Sequence, residues 1–161
     1  MFSAKCIFTI KLLCLKLFIV FFLYSLICSC APKQVKIYQQ TDGIRNEIVQ
    51  YAISFLGKPY RIGAKGPDSF DCSGLIYYTY RKFNITLPVM TEGLLRTGYK
   101  ISKSNVLPGD LVFFRIKKSF HSGIMINKID FIHSSTSRGV TVDNIESKYW
   151  HEKLIGFRNI L

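Results

Sequence analysis

Pro108-Gly109-Asp110-Leu111-Val112-Phe113-Phe114 divides the 161-residue chain into two kinds of sequence. Pro-Gly-Asp marks a turn, and the four apolar residues after it open a β-prone run. Gly123-Ile124-Met125-Ile126 and Phe131-Ile132-His133 repeat that chemistry after polar connectors, with Gly139-Val140-Thr141-Val142 and Ile155-Gly156-Phe157-Arg158 as weaker strand candidates. Before the turn the period changes. Thr41-Asp42 followed by Ile44, Ile48, Val49, Ala52, Phe55 and Leu56 at three- and four-residue spacing, closed by Gly57 and Pro59, predicts an amphipathic helix. Leu75, Ile76, Tyr78 and Thr79 predict a second helix over Ser73 to Phe83. A shorter third is expected from Thr91 to Thr97, with Glu92 in its first turn, where the helix dipole favours an acid. Helices first and strands afterwards mean an α+β fold, helices packed on an antiparallel sheet.

The N-terminal segment follows other rules. Lys5, Lys11 and Lys16 precede a twelve-residue apolar run, Leu17 to Cys28, with no acid among them. A spanning helix needs roughly 20 residues, so a cleaved export signal over residues 1–29 is the favoured expectation. Leu26-Ile27-Cys28-Ser29-Cys30 resembles the lipobox of bacterial lipoproteins, which implies that Cys30 is acylated and becomes the first residue of the mature chain. An ordinary secretory signal and an uncleaved anchor are the alternatives. Residues 30–40 read as a short polar tether and residues 41–161 as one domain, long enough to bury a core.

Charge and cysteine count narrow the function. The net charge of +12 falls to +9 without the three signal lysines, and the remaining cations are scattered from Lys33 to Arg158. Nucleic acid would call for a stripe or a tail of charge, so none is expected as a partner. A polyanionic wall or anionic lipid suits such a surface. With Cys6, Cys14 and Cys28 removed and Cys30 lipidated, Cys72 is the single remaining thiol. An exported domain with one thiol forms no internal disulfide, which leaves that sulfur as buried filler or as working chemistry.

A nucleophilic cysteine is favoured by a helix N-terminus and by a nearby imidazole. Cys72 stands where the loop from Lys58 to Phe70, with its two prolines, Gly63 and Gly66, gives way to the second helix. His121 opens one predicted strand and His133 lies inside the next; His151, beside Trp150, has no such setting and reads as surface. Register decides whether the two histidines cooperate. A tight hairpin between Ile126 and Phe131 would set His133 against Ile124 and throw the rings onto opposite faces. A three-residue connection or a bulge sets His133 against Gly123, with His121 as its diagonal neighbour on the same face about 7–8 Å away. The odd register is therefore expected, with Gly123 leaving room for the imidazole.

These residues closely resemble the NlpC family of cell-wall cysteine peptidases, a compact branch of the papain-like superfamily. The blocks are Gly57-Lys58-Pro59-Tyr60 with Gly63, Phe70-Asp71-Cys72-Ser73-Gly74-Leu75, and Leu107-Pro108-Gly109-Asp110-Leu111-Val112-Phe113-Phe114. His121-Ser122-Gly123-Ile124 and Phe131-Ile132-His133-Ser134-Ser135 with Gly139-Val140 complete them. The resemblance implies a papain-like domain in which Cys72 is the nucleophile, His121 the general base and His133 the polar third member that orients it. Tyr60 is similar to the family tyrosine that assists the oxyanion site, and Asp71 and Ser73 to the pair that receives the end of a peptide stem; both also suit helix capping. Val89 and Leu94 stand where relatives carry Arg and Gln flanking the groove, and Ser69 replaces a frequent Gly.

The implied activity is a murein endopeptidase that cuts stem peptides through an acyl-enzyme at Cys72, as a monomer and without metal or cofactor. Amidase or acyl-transfer chemistry on the same peptides, and a silent wall-binding lipoprotein, are the rivals. The lipid anchor implies the cell envelope, and the outer membrane facing the periplasm if there are two membranes.

Overall fold

The computed structural model describes residues 32–161, with side chains from residue 43 onward. The signal segment 1–29 and the lipidation candidate Cys30 lie outside the described residues. Residues Thr41–Leu161 form one compact unit. Helix α1 is Pro32–Ile53. It thus begins ahead of the start signal at Thr41-Asp42, and residues 32–40 of the short polar tether are helical. Proline suits a first helical position, where its missing N–H has no helix partner, and no Gly or further Pro interrupts residues 33–42. The helix stops at Ile53, ahead of the predicted end, and a turn follows that places Gly57 at φ 80°.

Helix α2 is Cys72–Arg81, α3 Thr91–Leu94 and α4 Lys148–His151. The strands are β1 Tyr99–Ile101, β2 Leu111–Ile116, β3 Ser119–Met125, β4 Asp130–Ser135, β5 Gly139–Asn144 and β6 Leu154–Asn159. They make a six-stranded sheet in the order β1-β6-β2-β3-β4-β5, every neighbouring pair antiparallel. Strand β1 and helix α4 were not anticipated. Tyr99 and Lys100 of β1 are exposed, and the segment is a strand only through its pairing with β6, Lys100 against Arg158.

Alternation along the strands splits the core. Leu111, Phe113, Ile124, Ile132 and Val140 pack with Ile48 and Ala52 of α1 and with Leu75 and Ile76 of α2. Val112, Phe114, Met125, Phe131 and Phe157 form a second cluster with Trp150 of α4. Both faces of the sheet are therefore covered, which is why Leu111 to Phe114 is a continuous apolar run instead of an alternating one. Each such large side chain, fully buried, contributes about 1.5–3 kcal/mol.

One buried ion pair ties the first helix to the turn that opens β2. Arg45 donates to Asp110 Oδ1 at 2.9 Å and to the Pro108 carbonyl at 2.8 Å, and Asp110 Oδ2 accepts from the Leu107 amide at 2.8 Å. The Tyr80 hydroxyl donates to the Gly109 carbonyl, so α2 grips the same turn.

Candidate active site

The thiol is set by its helix start. Asp71 is the N-cap of α2, and its Oδ1 accepts from the Gly74 amide at 2.6 Å, which makes Cys72 the first helical residue. A Cβ at residue 74 would collide with the Ala64 carbonyl oxygen, so glycine is required for the loop to pass close beneath the helix start. Asp71 also accepts from the Gly63 amide at 3.0 Å and from Lys65 Nζ at 3.0 and 2.9 Å, and Lys65 reaches Ser73 Oγ at 3.2 Å. The Ser73 hydroxyl donates to the Val89 carbonyl at 2.9 Å. Cys72 is partly exposed, and its Sγ lies 3.6 Å from Thr91 Oγ1, which in turn is 3.4 Å from Ser122 Oγ.

The β3–β4 register is the odd one. Ile124 pairs with Ile132 and Met125 with Phe131, and Ile126 bonds the Asp130 carbonyl across a three-residue connection, Asn127 to Ile129. Continuing that ladder puts Gly123 opposite His133, where a Cβ would come 3.2 Å from His133 Cβ and 2.7 Å from Phe131 Cδ2. The two imidazoles share a face and touch. His121 Nε2 lies 2.9 Å from His133 Nδ1, and His121 Nδ1 has no hydrogen-bond partner among the described residues.

Behind His133 stands a residue that the sequence did not single out. Asp143 of β5 places Oδ2 3.0 Å from His133 Nε2 and accepts from Trp150 Nε1 at 2.9 Å and from the Arg138 guanidinium. His133 pairs with Thr141, so Asp143 is its diagonal neighbour just as His121 is on the other side. The signal was an acid two residues beyond Thr141, one place past where the predicted strand ended. Trp150 covers the group from α4, stacked on His121 with ring centroids 5.5 Å apart.

Burial, and after it His133, pushes the His121 imidazole down to about 3, against the opposing charge of Asp143. Burial also lowers His133, opposed by the hydrogen bond and charge of Asp143. Tyr60 is raised by burial, then by Cys72 and Asp71, which marks it as a neighbour of the thiol. Tyr60, Cys72, His121, His133 and Asp143 line one cleft of about 1020 Å³, with Lys117, Lys118 and Arg138 at its basic edge.

Most of the candidate site residues thus come together, with Asp71 and Ser73 engaged by Lys65 below the helix start. His151 is exposed. Leu94 is fully buried in the core against the helices and flanks no groove, whereas Val89 is 46% exposed. Leu94 is therefore a packing residue. No three His, Cys, Asp or Glu side chains among the described residues converge to hold a metal ion. No helix among them is long and apolar enough to cross a membrane.

The sequence profile of the NlpC/P60 family matches residues 57–159, a span that contains Tyr60, Cys72, both clustered histidines and Asp143. The chain belongs to the NlpC/P60 family. It is 38% identical over 111 residues to the probable endopeptidase NlpC of Escherichia coli strain K12, covering 66% of this chain and 72% of that protein. It is 33% identical over 120 residues to the murein DD-endopeptidase MepS/murein LD-carboxypeptidase of the same strain, covering 73% and 64%. An NlpC/P60 family protein from Bacillus cereus has a similar fold, with a TM-score of 0.69 and 29% identity over 73% of this chain and 40% of that one. This NlpC/P60 chain spans between 20% and 72% of the length of such relatives. The six-stranded antiparallel sheet with its helices is the papain-like architecture of the family.

Proposed function

We propose that this NlpC/P60 protein is a peptidoglycan hydrolase, a cysteine endopeptidase that cuts stem peptides in the cell wall. The observation that carries the reading is the His121–His133 pair, in hydrogen-bond contact on the wall of the cleft that Cys72 also lines. His121 spends Nε2 on His133, which leaves Nδ1 to take the thiol proton. Held neutral over the physiological range, the ring is in the form that accepts a proton. An anionic sulfur beside it then favours the imidazolium.

The sulfur attacks the peptide carbonyl carbon, and the Cys72 amide with the Tyr60 hydroxyl stabilises the oxyanion. His121 returns its proton to the departing amine, leaving an acyl-enzyme. It then takes a proton from water as the water oxygen attacks the thioester, and gives that proton to the departing Cys72 sulfur, which restores the thiol and the neutral ring. No step needs a metal or cofactor. A substrate ammonium reaches Asp71 and Ser73 only by taking the place of Lys65, whose three contacts of 2.9–3.2 Å already satisfy that pair.

The relatives' names support the substrate class, one being a murein endopeptidase by name. The resemblance of residues 26–30 to a lipobox supports an envelope location, with Cys30 acylated and the domain held as a monomer near the wall, at the outer membrane if there are two. Digestion of purified muropeptides by wild type and by Cys72→Ala, read by mass, tests the reading. New amino termini on the diamino acid, lost in Cys72→Ala, are expected. Freed muramic acid would establish an amidase instead, and equal products from both chains would end the proposal.

A further inference from the structure

The hydrogen bonds behind His121 have a direction, and it is imposed from their far end. An indole N–H and a guanidinium can only donate, and Trp150 and Arg138 both donate to Asp143 Oδ2. Burial alone would raise the Asp143 carboxyl, but the bonds from Arg138, His133 and Trp150 hold it below the usual carboxylate range. A carboxylate accepts and does not donate, so the hydrogen between it and His133 sits on Nε2. His133, 1% exposed and kept neutral, then has a bare Nδ1. Across the 2.9 Å contact His121 Nε2 must be the donor, and the lone pair of His121 falls on Nδ1. No other arrangement of two neutral rings satisfies both contacts.

We propose that Asp143 is a positioning residue that sets the tautomer of both histidines, its carboxylate clamped by Arg138 and Trp150 so that His121 keeps a proton-accepting nitrogen at Nδ1. The effect on catalysis rests on the peptidase reading above; the relay itself does not. When the thiol S–H bond breaks and the proton moves to His121 Nδ1, the new imidazolium is separated from the Asp143 carboxylate by one imidazole and two hydrogen bonds. The carboxylate stabilises that charge and needs no proton of its own.

The charged and titratable groups that line the cleft with the relay are Cys72 and Tyr60, Lys117 and Lys118 from the β2–β3 turn, Arg138 from the β4–β5 turn and Tyr149 from α4. Of the acids, Asp143 alone lines this cleft among the described residues, so its removal changes the local field in one direction.

The test is nitrogen NMR of imidazole-labelled full chain at pH 7.5, beside muropeptide hydrolysis. In wild type both rings are expected as Nε2–H tautomers. Asp143→Ala is expected to lose that form in His133 and His121 and to reduce kcat by about 10²-fold or more with KM unchanged. Asp143→Asn keeps an acceptor oxygen but not the charge. It is expected to retain the tautomers, to give an intermediate kcat, and to move the histidine titration midpoints and the acid limb of kcat/KM to lower pH. Nε2–H rings in Asp143→Ala, or unmoved histidine midpoints in Asp143→Asn should the alanine chain not fold, overturn the proposal. Tautomers that switch as expected in a chain with no Cys72-dependent hydrolysis would overturn the peptidase reading and leave the relay standing.

Discussion

Trp150 and His121 lie nearly parallel, their ring centroids 5.5 Å apart at an interplanar angle of 22°. The indole removes water from one face of the imidazole, and Phe114, 6.4 Å away, helps to close the site. That cover is the physical source of the lowered proton affinity of His121.

Stability should therefore depend on pH in a defined window. The folded His121 stays neutral down to about pH 3, while in the unfolded chain it takes a proton near 6.5. The unfolded state binds more protons between those values, so the contribution is complete above 6.5 and is lost as pH falls toward 3. The loss is about 1.4 kcal/mol per pH unit for each such proton, and His133, shifted in the same direction, adds to it. Urea titrations followed by the fluorescence of Trp150, the single tryptophan, measure this directly. His121→Gln should flatten the slope; an equal slope in that variant would refute the assignment.

Gly123→Ala is expected to damage both fold and chemistry. The added Cβ would stand 2.8 Å from the Ile132 carbonyl oxygen and 2.7 Å from Phe131 Cδ2, so β3 must shift against β4. Overpacking of this kind costs about 1–3 kcal/mol. The shift also displaces His133, so kcat should fall while the protein remains folded in the cold. A wild-type kcat would show that the strands absorb the methyl group elsewhere.

Breaking the pair between Arg45 and Asp110 should destabilise more than any surface change. Both side chains are buried, at 5% and 0% exposure, and Arg45→Met leaves a carboxylate without its cation. A loss of about 3–5 kcal/mol is expected by denaturant titration. Asp110→Asn in the Arg45→Met background should cost little further, because the two changes remove one interaction. Full additivity of the two would contradict the pairing.

Lys65→Met separates two roles for the Asp71–Ser73 pair. The lysine is 30% exposed, so solvent screens its bridge to Asp71, and the stability loss should be only about 1 kcal/mol. The vacated position can then receive an ammonium group from substrate. A lower KM for stem peptides with a free amino end, set against unchanged KM for those without one, is the expected outcome. If neither KM moves, Asp71 is a helix cap and nothing more.

Local pattern was enough for a large part of this molecule. The apolar spacing of Ile48, Val49 and Ala52, and the runs at Leu111 and Phe131, read correctly because a helix face and a buried strand impose short periods on adjacent residues. The thiol at a helix start was legible for the same reason: Asp71 caps within three residues of itself. So was the odd register, since side-chain alternation leaves two possibilities and only one brings the histidines together.

Asp143 was not legible, nor was the hold of Arg138 and Trp150 on it. Its meaning comes from lying diagonal to His133 across a ladder and beneath a four-residue helix, a juxtaposition made by β5 pairing and α4 packing that no local spacing encodes. Leu94 was misplaced at the rim of a groove for a like reason: burial is a property of what surrounds a residue. Residue order along the chain supplied the reacting groups; the direction of the protons between them arose when three strands and a helix closed around one carboxylate, because a hydrogen bond's donor is settled by every neighbour at once.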